Sequence, residues 1–473
     1  MAIKLWGVTI AILLYCRVLP SQTPDRASIQ GFVADQSKAA ITGAHLLIRD
    51  ESTGAVRTAV SDSTGKFNVS GIPTQDAFTI STEKGGFAPA SVHGVRFVPG
   101  SRADLSLILR VAGGASDITV RGNAGDLRID QPQLGIDLSR EQMEETPGPF
   151  GRMTYLPLLN AANKPAISQG DVFINQNLLN TNGAGRRQTW FEVDGANAID
   201  MWGRQTIFSN IPILAVGEMT VLTNAYSSEY GGGTGSVVNL VTRSGGERFH
   251  AEVRELWRPA TLGAGLSGFN SSNATSGNQI VTDAAAQTAV AVSGTLPWKS
   301  KTQFYGAGEW NREAKGSPVT SPIAPGVFVG RYRGWLSLLR LDQQLGANNK
   351  VFARSNADEF TDTNPNGTVG GSNLPTVART FRRRTFEIEV ADTAILGPNQ
   401  VNDIRGQFQL ASPITQFAPE VYGTQFSVPI TSMCGVAACS SFTTGTSQDA
   451  LLLNRQFEIS ELMSYTRGCS NWP

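Results

Sequence analysis

The chain has 473 residues, too many for one ordinary domain, and this length predicts two to four domains. Charged residues make up 16% of the chain and 50 residues are Gly, a composition that favours many strands and turns. Lys and Arg together number 39, as do Asp and Glu, so no net charge attracts the chain to nucleic acid or to an anionic membrane surface.

Residues 1–21 have the pattern of a secretory signal peptide. Lys4 precedes an apolar run from Leu5 to Tyr15 that is too short to span a bilayer, and a candidate cleavage site follows Ser21. The residue before Cys16 is bulky where lipoprotein processing needs a small one, so export without lipidation is preferred. No later stretch predicts a transmembrane helix, which leaves a periplasmic protein, a secreted protein or a β-barrel.

Residues 28–111 predict a small β-sandwich, because short alternating runs are separated by Gly-containing turns at even spacing. These residues follow one another along it: Gly31, Val33, Asp35, Ile41, Gly43, Ala44, Asp62, Gly65, Phe67, Ile72, Pro73, Gly85, Gly86, Phe87. In that order they resemble the carboxypeptidase regulatory-like domain over nearly the whole segment. The resemblance implies a seven-stranded prealbumin-like sandwich with a structural or docking role and no hydrolytic activity.

Residues 116–126 form a linker that contains one short run with β propensity between Gly-rich flanks. The run consists of Asp117, Ile118, Thr119, Val120 and Arg121. Its composition alone predicts a linker strand.

Residues 127–245 carry the most specific resemblance in the chain. The matching residues are, in order, Pro147, Arg152, Leu156, Leu159, Arg187, Phe191, Val193, Asp194, Gly195, Asn224, Ala225, Tyr226, Ser227, Glu229, Tyr230, Gly231, Gly235, Val238, Asn239, Val241, Thr242, Ser244 and Gly245. Each fragment is weak alone, but their order and spacing together resemble the α+β plug domain of TonB-dependent receptors. With the preceding sandwich, the chain resembles the Oar-like members of that family.

Two groups within this segment have local structural interpretations. Tyr226 and Tyr230 stand at helical spacing beside Gly231, which predicts aromatic packing next to a tight backbone turn. Asp194 and Gly195 follow an alternating strand, and this position favours a turn over a catalytic carboxylate. For the linker run at residues 117–121, the resemblance implies a second interpretation as the TonB box, a peptide that TonB binds by strand addition.

Residues 246–473 predict the N-terminal portion of an antiparallel transmembrane β-barrel. From Asp403 to Leu410 polar and apolar residues alternate, as in a strand with one face to lipid and one to the lumen. A hairpin turn is expected at Gly346 to Asn349, and a longer loop from Thr361 to Pro375. Strands are predicted near Phe249, Val290, Phe304, Trp335, Phe352, Ile388, Phe408 and Ile459.

These predicted strands are too few for a plugged barrel. Roughly eight are found, against about 22 in plugged outer-membrane transporters, and the lumen of an eight-stranded barrel is filled by side chains. The last residue, Pro473, cannot donate to a strand ladder. We therefore expect an incomplete barrel, from a fragment, a frameshift or a natural truncation, that neither closes nor transports by itself.

Signals for catalysis and for metal binding are weak. His45, His93 and His250 stand in separate contexts without ligand spacing, which argues against a zinc peptidase site. The glycines from Gly231 to Gly235 lack the Lys and hydroxyl residue of a phosphate loop, so a tight turn is preferred. Arg382 to Arg384 predict a solvated or lumen-facing strand end in preference to a ligand site. We expect no enzyme activity, no metal and no cofactor.

Cys434 and Cys439 lie in a stretch rich in Gly, Ala, Ser and Thr. In an oxidising compartment this spacing favours a loop disulfide, and two unpaired thiols are the alternative.

The family resemblance implies energised uptake across the outer membrane. Its expected partners are TonB in the periplasm, outer-membrane lipid and a large extracellular ligand, for which carbohydrate is one candidate. The plug would act as the gate. The alternative function is surface adhesion or polymer binding by an outer-membrane protein.

Overall fold

The structure is a computed structural model, and it describes residues 26–51, 56–74, 77–97, 102–111, 119–121, 134–146, 153–165, 179–185, 188–199, 210–224, 234–259, 284–297, 299–319, 321, 326–346, 348–364, 368–397, 400–417, 426–429, 441–444 and 449–465. Strands dominate these residues, and the predicted mainly β fold class is confirmed. None of the described helices has the length and apolar character needed to cross a membrane. The predicted signal peptide lies outside the described residues.

The N-terminal sandwich contains β1 (Arg26–Asp35), β2 (His45–Asp50), β3 (Val56–Val60), β4 (Lys66–Pro73), β5 (Ala77–Glu83), β6 (Ala90–Arg96), β7 (Arg102–Leu109) and β8 (Thr119–Arg121). One sheet has the order β4-β1-β7 and the other β3-β2-β5-β6-β8. In β2 every second residue is buried, the alternation of a strand with one face on a core. Ile29, Leu46, Ile80 and Leu109 meet between the sheets with at most 1% of their surface exposed.

Gly31 is fixed by the close approach of the parallel strands β1 and β7. A Cβ at this position would collide with the Leu105 carbonyl oxygen and with the Phe67 ring, so no side chain fits. At the turn before β4, Asp62 accepts hydrogen bonds from the Thr64 hydroxyl and from the backbone N–H of Thr64 and Lys66. The Thr64 hydroxyl bond is the main cause that lowers the pKa of Asp62 below its ordinary value.

The middle domain contains β9 (Leu134–Ser139), α1 (Arg140–Glu145), β10 (Asn163–Pro165), β11 (Leu179–Thr181), β12 (Thr189–Val193), β13 (Ala196–Asn197), β14 (Val216–Asn224) and β15 (Ser236–Thr242). Two short 3-10 helices occupy Met153–Leu159 and Ile213–Ala215. The main sheet has the order β13-β12-β15-β14-β9, and β10 pairs with β11. Helix α1 begins with a capping box, in which Ser139 and Gln142 exchange hydrogen bonds.

The C-terminal part forms a sheet of long antiparallel strands, here called the wall. Its strands are β16 (His250–Arg258), β17 (Ala284–Leu296), β18 (Lys299–Val319), β19 (Gly326–Leu345), β20 (Asn349–Asp362), β21 (Arg379–Gly397), β22 (Gln400–Phe417), β25 (Ala450–Leu451) and β26 (Asn454–Tyr465). The strands β16 to β22 follow one another in space, and both β25 and β26 pair with β22. In the described part of the chain the sheet does not close on itself. A separate ribbon pairs β23 (Phe426–Pro429) with β24 (Ser441–Thr444).

The wall strands agree with the alternation in the sequence. Seven of the eight predicted positions lie inside a wall strand, and Phe249 directly precedes β16. In β20 every second residue is buried, so the wall has an inner face that packs against the middle domain and an outer face. The predicted hairpin turn between β19 and β20 contains Gly346 at φ 77°. The loop predicted to start at Thr361 begins two residues later in the structure, because β20 continues to Asp362.

Candidate functional site

A two-residue turn of the middle domain touches the inner face of the wall. Asp194 and Gly195 connect the antiparallel strands β12 and β13, and their φ angles are 53° and 81°. Positive φ at both central residues is the geometry that an Asp-Gly turn adopts readily. A Cβ at Gly195 would collide with the Arg405 guanidinium of the wall, so the glycine also permits the close approach.

The Asp194 carboxylate links the middle domain to two wall arginines. Within the middle domain it accepts hydrogen bonds from the Thr242 backbone N–H at 2.8 Å and from the Thr242 hydroxyl at 2.7 Å. From the wall, Arg340 Nη1 donates to Asp194 Oδ1 at 3.2 Å, and Arg354 Nε lies 3.0 Å from Asp194 Oδ2. Arg405 donates to the Asp194 backbone carbonyl. Asp194 is 1% exposed, so this contact is shielded from water.

Each of these arginines also has an acidic partner on the wall itself. Arg340 pairs with Asp342 at 2.9 Å, Arg354 pairs with Glu387 at 2.7 Å and with Glu389, and Arg405 pairs with Asp403. The register explains the grouping, because Arg340 lies opposite Arg354, and Arg354 lies opposite Glu389. Residues two apart on one strand point to the same face, which brings Asp342, Glu387 and Asp403 beside them.

The charges of this cluster balance on the wall alone. Arg340, Arg354, Arg405 and Lys350, which lies 3.4 Å from Asp342, supply four positive charges. Asp342, Asp403, Glu387 and Glu389 carry four formal negative charges, and Asp194 adds a fifth from the middle domain. If the Asp194 turn moves away from the wall, each of these three arginines keeps a carboxylate partner. Separation therefore leaves no unpaired buried arginine in this cluster. We call Asp194, its three arginines and their wall carboxylates the charged joint.

A second polar contact lies at the first wall strand. Arg140 of α1 donates to both oxygens of Glu252 at 2.7 Å and 2.6 Å, and Arg243 Nη1 donates to the same carboxylate at 3.3 Å. Arg243 also lies over the ring of Tyr305, 5.0 Å from its centroid, and the Tyr305 hydroxyl donates to the Leu214 carbonyl. Two arginines of the middle domain therefore converge on one carboxylate of β16.

An apolar core joins the same two bodies. Phe191, Val221 and Leu240 of the middle domain belong to one buried cluster with Ala289 and Leu338 of the wall. Small side chains such as alanine let the 3-10 helix at Ile213–Ala215 approach β17 and β18, where Ile213 N–H donates to Glu309 at 2.8 Å. The middle domain is thus held by continuous packing as well as by charge.

The structure describes some of the predicted site residues and leaves others outside the described ranges. The predicted turn at Asp194 and Gly195 is present and lies in the charged joint. Asn239 is buried in β15, and Asn224 ends β14 with an exposed side chain. The following lie outside the described residues: Asp117, Ile118, Arg187, Tyr226, Glu229, Tyr230, Gly231, Cys434 and Cys439.

The arginine run at the start of β21 divides between the two faces of the wall. Arg383 is fully buried on the inner face, where it pairs with Asp358 at 3.1 Å and lies over the Phe360 ring. Arg382 and Arg384 point outward to Glu359. The run is therefore a strand segment with one lumen-side cation.

Sequence reasoning missed Arg340, Arg354 and Glu389, which form the centre of the joint. One signal was available, since opposite charges recur two residues apart on one strand face, as in Arg340 with Asp342 and Asp403 with Arg405. Among the described residues no group of three or more His, Cys, Asp or Glu is placed to hold a metal ion.

Comparisons with known proteins agree with this architecture. Residues 28–110 match the carboxypeptidase regulatory-like domain. The TonB-dependent transporter Oar of Myxococcus xanthus is 26% identical over 265 residues, which are 54% of this chain and 24% of Oar. The chain therefore spans about a quarter of the length of that curated relative.

The chain is also similar to solved structures. The outer membrane transporter YddB from Escherichia coli matches 71% of this chain and 46% of its own, with a TM-score of 0.53 at 10% identity. The siderophore receptor PirA from Acinetobacter baumannii matches 69% of this chain and 44% of its own, with a TM-score of 0.45 at 13% identity. Oar and YddB are both transporters. The chain is thus a homologue of a TonB-dependent transporter, with a carboxypeptidase regulatory-like sandwich before a body that has the fold of outer-membrane transporters.

Proposed function

We propose that this chain carries the sandwich, the plug and part of the barrel wall of an outer-membrane TonB-dependent receptor, which takes up a large substrate by energised transport. The middle domain is the plug. The charged joint is the observation that carries the proposal, because it holds one domain against the inner face of a membrane-type sheet with charges that balance after separation. The proposal includes export by the signal peptide at residues 1–21.

The outer face of the wall fits contact with lipid. Its exposed side chains include Val290, Val292, Trp310, Trp335, Leu339, Leu341, Phe386, Ile388, Val390, Ile404 and Phe408. A soluble protein rarely exposes so continuous an apolar surface, whereas a barrel strand alternates apolar residues toward lipid with polar residues toward the lumen. The inner face carries the opposite chemistry, with buried Arg, Asp, Glu and Gln side chains.

The geometry supports a mechanism in which the plug separates from the wall without any covalent reaction. A pull on the linker before β9 would load the plug sheet, whose turn at Asp194 is held by Arg340, Arg354 and Arg405. Since these arginines keep their own carboxylates, the wall stays paired while the turn withdraws. A passage for a large extracellular ligand, with carbohydrate as one candidate class, then opens beside the wall.

Deleting residues 117–121 tests this function. We expect the deletion to weaken binding of the purified periplasmic domain of TonB by at least about tenfold, since a strand-adding peptide supplies most of the backbone contacts. The measurement is biolayer interferometry on the chain in detergent micelles, with deletion of residues 112–116 as a control of equal length. Unchanged TonB binding after the 117–121 deletion would contradict the role of this run, and absence of TonB binding in the undeleted chain would favour the alternative, a surface adhesion protein.

A further inference from the structure

The strand β4 of the sandwich contains a β-bulge. The register between β1 and β4 shifts once, where Ser70 and Gly71 of β4 stand opposite the single residue Ser28 of β1. Gly71 adopts a φ of 73°, in the left-handed region that glycine enters readily. A bulge bends its strand and changes the direction in which the backbone projects. Arg57 of β3 donates to the Ser70 carbonyl at 2.7 Å, which holds the bulge in place.

The bulge packs on the inner face of the wall strand β22. A Cβ at Gly71 would stand 3.1 Å and 3.2 Å from the two methyl carbons of Val401, so the glycine permits this close approach. Val401 is 1% exposed, and Gly71 is buried as well. Alternation along β22 places Val401 on the same face as Asp403 and Arg405 of the charged joint. The sandwich therefore contacts the same row of wall residues that holds the plug.

This contact lies at the end of the wall that carries short turns. Val401 adjoins the tight β21–β22 connection, in which Gly397 lies opposite Gln400. The short β19–β20 connection, with Leu345 opposite Asn349, lies at the same end. Such short connections face the periplasm in outer-membrane barrels. The sandwich thus touches β22 nearer to the periplasm than the charged joint does.

The sandwich also contacts the plug, at helix α1. Arg96 at the end of β6 lies 3.8 Å from Glu141. The preceding residue of α1, Arg140, donates to both carboxylate oxygens of Glu252 on β16. In the spatial order of the wall, β16 stands at one end of the run β16 to β22, and Val401 belongs to the strand at the other end of that run. The sandwich and α1 together therefore reach across the periplasmic end of the wall.

We propose that the sandwich is a stop for the plug: while it is docked on β22 and α1, the plug cannot move along the inner face of the wall toward the periplasm. This rests on the proposed function, because it takes the middle domain as the plug. Packed protein bodies exclude one another, so the plug cannot enter the space beside Val401 that the sandwich fills. A plug whose Asp194 turn has left the charged joint therefore stays beside the wall until the sandwich undocks.

One backbone N–H of the plug reports separation from the wall. Ile213 N–H donates to Glu309 of β18 at 2.8 Å, and both residues are buried. A protected amide hydrogen exchanges with solvent only when its structure opens. Hydrogen exchange of the plug peptide that contains Ile213 is measured by mass spectrometry on the purified chain in detergent micelles.

A reversible covalent lock tests the stop. Gly71→Cys and Val401→Cys place two thiols across the contact, at a separation that a disulfide spans, and the native cysteines are changed to Ser. We expect exchange at Ile213 to be at least about tenfold slower in the oxidised chain than in the reduced chain, because a locked sandwich blocks separation.

The matched control for the lock is a disulfide within the wall. Ile395→Cys with Val401→Cys joins register partners on β21 and β22, so it ties the same wall residue and leaves the sandwich free. This bond should change exchange at Ile213 by less than about twofold.

A second variant tests the stop in the opposite direction and needs no disulfide. Val401→Phe adds a ring where Gly71 leaves no room, which displaces the sandwich without adding charge beside the joint. We expect exchange at Ile213 to become at least about threefold faster, whereas Ile395→Phe on the neighbouring strand should leave it unchanged. If the strained backbone at Gly71 prevents the disulfide, this variant decides the question.

Three results would overturn the inference. Equal exchange at Ile213 in the oxidised and reduced chains would mean that the plug separates past a docked sandwich. Equal slowing by the disulfide within the wall would make stiffening of the wall the cause. Unchanged exchange in Val401→Phe would mean that the sandwich does not restrain the plug. All three are measured without TonB, so they are distinguishable from failure of the proposed function, which the deletion of residues 117–121 tests.

Discussion

Replacing Arg354 by Met is expected to destabilise the folded wall by about 3 to 5 kcal/mol, the range for removing one partner of a buried ion pair. Arg354 is 1% exposed and pairs with Glu387, Glu389 and Asp194. Met fills a similar volume but leaves three carboxylates without this cation. Thermal unfolding of the purified chain, followed by heat-dependent mobility on gels, measures the loss.

Arg384→Met is the matched control for this prediction. Arg384 lies on the adjacent strand, on the outer face, with 60% of its side chain exposed and Glu359 as partner. Its loss should change stability by about 0.5 kcal/mol or less, as for most exposed ion pairs. Combining Arg354→Met with Glu387→Gln and Glu389→Gln should recover part of the loss. Equal losses of stability in Arg354→Met and Arg384→Met would show that the buried cluster stabilises the wall no more than an exposed ion pair does.

Replacing Asp194 by Asn is expected to loosen the plug without unfolding the wall. Asn tolerates the positive φ of this turn, so the backbone geometry survives while the charge is removed. Hydrogen bonds to a charged group contribute about 1.5 to 3 kcal/mol, and this is the expected loss in the free energy of plug attachment. Faster proteolysis within the plug, at unchanged thermal stability of the wall, is the expected observation.

A double-mutant cycle with Arg340→Met isolates the contact between Asp194 and the wall. Arg340 Nη1 also donates to the Thr242 hydroxyl, at 2.8 Å, so each single change affects more than the contact between Asp194 and Arg340. The cycle should give a coupling energy of at least about 1 kcal/mol, because the two residues share one network. Additive single effects would place the plug's attachment elsewhere, in the apolar core or at Glu252.

Local patterns predicted much of this fold. The even spacing of turns marks the sandwich, and the alternation from Asp403 to Leu410 matches β22, in which Asp403 and Gln407 are buried and Ile404 and Phe408 are exposed. The Asp-Gly pair predicts a turn because positive φ is readily adopted by these residue types. These features are readable since each depends on residues close in sequence.

The charged joint depends on contacts that no local pattern contains. Asp194 and Arg340 are 146 residues apart, and the period of two only says which face of β19 carries Arg340. Which residues pair with Arg340 depends on the register of four strands and on the position of the plug. The pairing of β8 with β6 is equally hidden, because a three-residue run does not indicate which sheet edge it joins.

Thiol labelling of a buried plug residue tests most directly the central claim, that TonB draws the plug from the wall. Ser236 of β15 is fully buried, and Ser236→Cys adds little volume. The experiment uses growing cells that make an intact receptor with this plug, in which residue 236 is the one remaining cysteine. Biotin maleimide should label this cysteine only when energised TonB and residues 117–121 are both present. Equal labelling with and without TonB, or none in energised cells, would contradict the account.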